Sequence, residues 1–528
     1  MATTDDRLDL ADCRGMAVPH DLDDRPGDEV VTEQWLGAPA LSYARRPATV
    51  IDALDRAVQR YGDRPGWTDG DLHLSWQQFA DRVERAADSL RARGLGPGET
   101  VAVASGNTLD LAVLLFACAR SGLVMVGLNT RLAPPQWAYM VELMQTRLRL
   151  ASSPFLDQLD GAEPLGDVLR EAPERLWAAG PSGLAEEATY QVVFTSGTTG
   201  RPKASQVVHR ASVHSGMSYQ RVLSLGPEDV TAVLFPMYYI SAMHAHVLPA
   251  MLAGARLVLV DSQSPRDYVE LLRREGVTWA YAVPSWWRLA LRAGLEDLPR
   301  LSRVAAGGAP FPLDLQDGLR AALPGVRLHD VYGLSETHSP GCILHDEDFA
   351  EHAGTVGRPL DCMQAEVRDE GGKLCRDGEA GELWLRGSLV TTGYAGDAEA
   401  TAAAIVDGWF DTGDIVRVCE HGFVTVLDRS KDMINRGGTK VFSAELEELL
   451  RRHPLIEDAA VVGIPDVLGG EAIAAYLVVR APVTPAEVRA WVREGMADYA
   501  APKVVELVEA LPRNAVGKTD KQALRART

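Results

Sequence analysis

A chain of 528 residues is too long for one simple core, so two or more domains are expected. With 46% apolar and 24% charged residues it has the balance of an ordinary globular protein. Its net charge of −20 argues against nucleic acid or an anionic membrane surface as a bulk partner. The six cysteines are scattered without a Cys-x-x-Cys pair, which argues against a zinc knuckle or disulfide framework and points to a reducing cytoplasm. No apolar run approaches the roughly 18 residues of a membrane span.

Residues 1 to 33 carry ten acids against three arginines, opposite to a transit peptide, and read as partly ordered within an expected acidic lead-in over 1–48. From residue 49 helix and strand patterns alternate. Val50, Ile51, Leu54, Val58 and Tyr61 recur at helical spacing, and Ser75 with Gln78 forms a capping-box start for a second helix. Strands are expected at 101–104, 124–128, 231–235, 256–260, 278–283 and 303–306, with helices at 111–119 and 135–144. That rhythm predicts doubly wound α/β sheets in a large domain over 49–429. After Gly354 short strands and Gly-rich turns predict a β-rich subdomain over about 354–429. The charged stretch Asp428-Arg429-Ser430-Lys431-Asp432 marks a boundary, and 430–528 is expected to be a small mobile α+β domain.

The strand-like Tyr190–Phe194 runs into Thr195-Ser196-Gly197-Thr198-Thr199-Gly200-Arg201-Pro202-Lys203. Glycines allow close backbone approach, the N–H groups and hydroxyls suit phosphate oxygens, and Lys203 adds a cation. The same composition also describes a solvated turn. Tyr332-Gly333-Leu334-Ser335-Glu336-Thr337 offers an aromatic face, a hydroxyl and a carboxylate that could hold Mg²⁺, or simply a strand end and turn. Thr412-Gly413-Asp414 could hold ribose hydroxyls. Arg513–Thr519 fits the P-loop pattern except that Pro512 replaces its first glycine, and too few residues follow for a P-loop fold. Lys518 there is a solvated tail residue or a cation delivered to a site elsewhere. His244-Ala245-His246 has no partners to complete a metal set, and a packed or pocket histidine is the better reading. Tyr238, Tyr239 and Trp287 are core aromatics or walls of a small-molecule pocket.

In order and spacing these stretches, with Leu128–Leu132, Gly307–Pro310 and Gly381–Gly387, resemble the adenylate-forming superfamily of acyl-CoA synthetases and related adenylating enzymes. The resemblance runs from about residue 49 to the end. It implies activation of a carboxylic acid by Mg-ATP to acyl-adenylate and pyrophosphate, then transfer to the thiol of coenzyme A. It implies that Lys518, Glu336 and Thr195 serve catalysis, with Mg²⁺ on Glu336. ATP would be held by Thr195, Ser196, Gly197, Thr198, Thr199, Gly200, Lys203, Gly308, Ala309, Pro310, Asp330, Tyr332, Gly333, Ser335, Asp414 and Arg429. Lys431 matches the hinge. Tyr238, Tyr239, His244, Trp287 and Gly308 would line the acyl pocket, and Gly437, Gly438 and Lys440 the thiol tunnel.

The sequence departs from the family pattern at four places. Ala204 stands for glycine after the loop lysine, Tyr239 for a pocket histidine, Ser443 for a common proline, and Ala500 for a frequent lysine. The aromatic stretch favours a small or aromatic acid over a long-chain fatty acid. The acceptor stays open between coenzyme A, a carrier-protein thiol, an amine, and a nitrite-activating variant. A nucleotide-binding protein without turnover is the alternative from another class. The oligomeric state is unassigned.

Overall fold

The computed structural model describes residues 16–17, 29–170, 176–177, 180, 182–195, 202–260, 264–296, 298–436, 439–466, 470–513 and 519–527. Two large sheets build the first part of the chain. One has six strands in the order Lys203–Val208, Thr189–Thr195, Val124–Gly127, Thr100–Ala104, Leu148–Ala151 and Glu163–Pro164. All neighbours are parallel except the first pair. The other has nine strands, with a parallel centre running Arg327–Tyr332, Arg303–Gly307, Trp279–Ala282, Val230–Val233 and Arg256–Leu259. Strands such as Thr100–Ala104 are buried at every position because helices cover both faces.

The local signals for helix ends act as expected. Thr49 and Ser75 close capping boxes on Asp52 and Gln78, starting the helices Val50–Tyr61 and Trp76–Ala92. Gly122 ends Leu109–Ser121 in the left-handed region at φ 70°.

The helix His209–Val222 has no simple apolar stripe. It is buried on nearly all sides between the two large sheets, and its polar side chains find distant partners. Ser218 meets the Tyr43 hydroxyl at 2.8 Å, Ser212 accepts from Tyr190 at 2.9 Å, and His214 lies 3.0 Å from the Ser42 hydroxyl. Buried polar groups persist only when paired in this way.

A third sheet of six strands contains Met363–Arg368, Ala380–Gly387, Trp409–Val418 and Val424–Arg429. It begins later than the expected 354, because Arg358–Pro359 still pairs with Cys342–Leu344 in the nine-stranded sheet. The small domain follows at once, as a five-stranded sheet built on the long antiparallel pair Ile456–Asp466 and Gly470–Val479. The helices Ser443–Arg451 and Pro485–Gly495 pack on it around Leu446, Leu450, Val488 and Val492.

Within the expected lead-in to residue 48, Val30–Trp35 and Ala38–Tyr43 form an antiparallel hairpin. Trp35 Nε1 donates to the Val390 carbonyl at 3.0 Å, and Ser388 to the Leu41 carbonyl at 2.7 Å. Glu33, counted among the acidic excess, pairs with Arg46 at 2.9 Å and Arg210 at 2.8 Å, and Glu186 completes the cluster. Burial of Arg210, at 3% side-chain exposure, is tolerated because both carboxylates neutralise it.

Candidate functional site

Of the residues singled out in the sequence, Thr195, Tyr332, Glu336, Asp414 and Arg429 converge where strands of the first two sheets end at the edge of the third. Thr195 and Lys203 are register partners on the antiparallel strands that flank 196–201. Glu336 sits on the single helical turn Ser335–Thr337, directly after the nine-stranded sheet's Arg327–Tyr332 strand. Thr195 Oγ1 donates to Glu336 Oε1 at 3.4 Å, joining two motifs 141 positions apart. Glu336 is 7% exposed and, among the described residues, has no cationic partner within 4 Å.

Tyr332 donates its hydroxyl to Asp414 Oδ2 at 2.6 Å, and Arg429 Nε meets Asp414 Oδ1 at 2.8 Å. Asp414 lies in Trp409–Val418 and Arg429 ends Val424–Arg429, so the third sheet supplies two of the three groups. Thr412 shapes the turn by accepting the Asp414 amide at 3.1 Å while donating to Leu383 at 2.7 Å. Beside them Asp330 pairs in register with Ala306, and Gly307 with Val331, so Gly308, Ala309 and Pro310 emerge next to Tyr332 as an exposed turn. A side chain at Gly333 would be tight, since a Cβ would meet the backbone of Ser339, Pro340 and Gly341 at 3.1–3.2 Å. Burial pushes the Asp330 carboxyl up to about 8, with the Val331 backbone amide opposing the shift.

Tyr238 and Tyr239 lie edge to face at 4.7 Å. Asn129 Nδ2 donates to the Tyr239 hydroxyl at 2.8 Å, so the tyrosine that replaces histidine is tied to the Leu128–Leu132 motif. His244 and Trp287, expected in the acyl pocket, are both fully buried. His244 Nδ1 meets the Ile240 carbonyl and Nε2 the Ser212 hydroxyl, each at 2.8 Å, and Trp287 Nε1 donates to Ala305 at 2.9 Å. Desolvation holds the His244 imidazole down at about 4.

Toward the small domain, Lys431 is met through its backbone carbonyl by Arg525 at 3.2 Å. The Lys440 ammonium pairs with Glu370, in the turn after the Met363–Arg368 strand, at 2.7 Å in an exposed contact. Ser443, where proline is common, donates both its N–H and its hydroxyl to Asp428. Proline would supply neither bond. Ala500 is fully buried in the small core, and Ala204 is 2% exposed against Val124 and Val192, so both departures are packing choices. Ser196, Gly197, Thr198, Thr199, Gly200, Gly437, Gly438 and Lys518 lie outside the described residues.

One participant escaped the sequence reading. Tyr394 donates its hydroxyl to Glu336 Oε1 at 3.0 Å, and the Lys203 ammonium sits 4.8 Å from its ring centroid. Its only signal was an aromatic after glycine in Thr391-Thr392-Gly393-Tyr394.

Two parallel-centred sheets whose strand ends bring Thr195, Tyr332 and Glu336 to Asp414 and Arg429 of a third sheet, followed by a separate small sheet, define a two-domain α/β protein. The chain belongs to the AMP-binding enzyme family: that family's profile matches residues 54–395, and the AMP-binding enzyme C-terminal domain profile matches 445–518. It is 32% identical over 463 residues to the 2-succinylbenzoate–CoA ligase of Bacillus licheniformis, covering 86% of this chain and 95% of that one. It is 32% identical over 476 residues to a feruloyl-CoA synthase of Amycolatopsis sp, covering 87% and 94%. The o-succinylbenzoate coenzyme A synthetase of Bacillus subtilis in complex with its acyl-adenylate superposes with a TM-score of 0.83 at 28% identity, covering 90% and 98%. In complex with ATP and magnesium ion the same protein gives 0.82 at 27%, covering 90% and 98%. No helix among the described residues is long and apolar enough to cross a membrane.

Proposed function

We propose that the protein is an AMP-forming acid–CoA ligase acting on a small or aromatic carboxylic acid. The observation that carries this is the meeting of Thr195, Glu336 and the Tyr332–Asp414–Arg429 set at the ends of strands from three sheets. The relatives with succinylbenzoate and feruloyl in their names, and the paired Tyr238 and Tyr239, support an aromatic acid.

The chemistry asks for a positioned polyphosphate and for neutralisation of charge on its leaving part. Asp414 and Arg429 hold the ribose while Tyr332 and the Gly308–Pro310 turn flank the base. The protonated Asp330 carboxyl has one donor and one acceptor to offer the adenine edge. Thr195 and Lys203 face the β- and γ-phosphates. An all-oxygen position built on one carboxylate fits Mg²⁺, which takes few protein ligands and completes its shell from phosphates and water. Glu336 would hold it, and the ion would neutralise phosphate charge. The acid's carboxylate attacks the α-phosphorus, expelling pyrophosphate and giving acyl-adenylate, with Lys518 bridging the carboxylate and phosphate oxygens. The thiol of coenzyme A then displaces AMP. No protein nucleophile is required.

The small domain carries Lys518 and swings on Lys431, so one site serves both steps. Five described cysteines, Cys118, Cys342, Cys362, Cys375 and Cys419, are free thiols, which supports a cytoplasmic location. The test is pyrophosphate release across a panel of aromatic, short-chain and long-chain acids, with and without coenzyme A, with thioester identified by mass spectrometry. Acid-dependent pyrophosphate release with thioester formed only when coenzyme A is present is the expected result. Pyrophosphate without thioester moves the acceptor to another nucleophile, and no release with any acid overturns the reading.

A further inference from the structure

Lys203 and Glu336 approach the same place with opposite charge, yet they form no ion pair among the described residues. Tyr394 is what each of them touches instead. Its backbone segment is anchored to the strand that carries Lys203: Ala395 N donates to Ala204 at 2.8 Å and Gln206 N to Gly393 at 3.0 Å. The Tyr394 amide is held by Thr401 Oγ1 at 2.9 Å. A Cβ at Gly393, where φ is 129°, would collide with the Thr401 side chain, so the turn that aims this tyrosine depends on glycine. From this fixed base the 8% exposed ring offers its face to the Lys203 ammonium and its hydroxyl to Glu336 Oε1.

Glu336 is gripped on one side only. Tyr394 at 3.0 Å and Thr195 at 3.4 Å both donate to Oε1, while Oε2 takes no hydrogen bond among the described residues. Its main-chain carbonyl accepts from Thr391 N at 2.8 Å, so backbone and side chain are both fixed by the 391–394 segment. A carboxylate with one oxygen saturated by hydroxyls presents the other as its free ligand atom. The cation–π contact meanwhile holds the ammonium on the ring and away from that oxygen, where it would compete with a divalent cation.

We propose that Tyr394 is a positioning residue that turns Glu336 Oε2 toward the magnesium site and keeps Lys203 from neutralising it. The proposal rests on the ligase reading above and adds a residue that orders its metal position. It separates the two jobs of the side chain: the hydroxyl orients the carboxylate, and the ring parks the lysine.

The experiment is calorimetric titration of the full-length protein with a non-hydrolysable ATP analogue over a series of Mg²⁺ concentrations. Tyr394→Phe keeps the ring and loses only the hydroxyl. It is expected to raise the Mg²⁺ concentration for half-maximal analogue binding about three- to tenfold, the net worth of one ordinary hydrogen bond. Analogue affinity without Mg²⁺ should stay within about twofold. Thr195→Val, which removes the other Oε1 donor, should shift the Mg²⁺ requirement in the same direction. In a Glu336→Gln background Tyr394→Phe should add no further shift, because the oxygen it orients no longer carries charge. A wild-type Mg²⁺ requirement in both Tyr394→Phe and Thr195→Val overturns the positioning role. Absence of Mg²⁺-dependent analogue binding in the wild-type protein overturns the ligase reading, and this proposal with it.

Discussion

Replacing Asp330 by asparagine tests the electrostatics of the site through stability rather than activity. The carboxyl is 7% exposed and burial pushes it up to about 8 from an ordinary value of 3.8. Below pH 4 both folded and unfolded chains carry it protonated, and its contribution to stability is fully present. As pH rises the unfolded chain ionises first, so folding must take up a proton. Stability then falls by about 1.4 kcal/mol per pH unit until the folded group ionises near pH 8. Across that window the loss reaches about 6 kcal/mol as a ceiling. Asparagine keeps the shape and cannot ionise, so Asp330→Asn lacks this slope. The assay is urea unfolding followed by tryptophan fluorescence at several pH values from 4.5 to 8.5. The quantity to compare is the difference between variant and wild type, which cancels every other titrating group. That difference should move steadily in favour of the variant as pH rises. Parallel profiles would show that Asp330 is ionised in the folded protein at neutral pH and would refute the argument.

Lys518→Ala should lower acid-dependent pyrophosphate release at least a hundredfold while largely sparing conversion of pre-made acyl-adenylate to thioester. Near-normal pyrophosphate release by this variant would remove the lysine from the first step. On the acid side, burial depresses His209, His244 and His329 to about 4 and His214 and His246 to about 3. Their depressed values place full stability above pH 6.5 and a progressive loss as pH falls toward 4, with net proton uptake on unfolding at pH 5, measurable by calorimetry in buffers of different ionisation enthalpy. Arg210→Met should destabilise the large domain by about 1–3 kcal/mol, because the partly exposed Glu33 and Glu186 each lose one charge-assisted hydrogen bond and keep Arg46. Chemical denaturation checks it, and a change below about 1 kcal/mol would mean that the hairpin Val30–Tyr43 is held by its contacts through Trp35, Leu41, Ser42 and Tyr43 without help from the ion pairs.

Much of the fold was legible because its signals are local. The boxes Thr49–Asp52 and Ser75–Gln78, the buried run Thr100–Ala104 and the alternation beyond it each depend on residues a few positions apart. The helix His209–Val222 was not legible, because a helix buried on nearly every side has no broad polar face to set its period. The hairpin was hidden for a related reason: Glu33 reads as solvated charge until Arg46 and Arg210 are brought to it.

By itself the sequence determined the family, since its motifs stand in the order and spacing that the AMP-binding enzyme profiles match. The tertiary structure alone decided which of those side chains are free to act. His244 and Trp287 carry suitable groups but spend them on Ser212, Ile240 and Ala305 inside the core. Ser443 earned its place over proline through two bonds to Asp428, and Tyr394 joined the site through Glu336, 58 positions away. A hydrogen bond depends on distance and direction, and neither is written in the spacing of residues on different sheets.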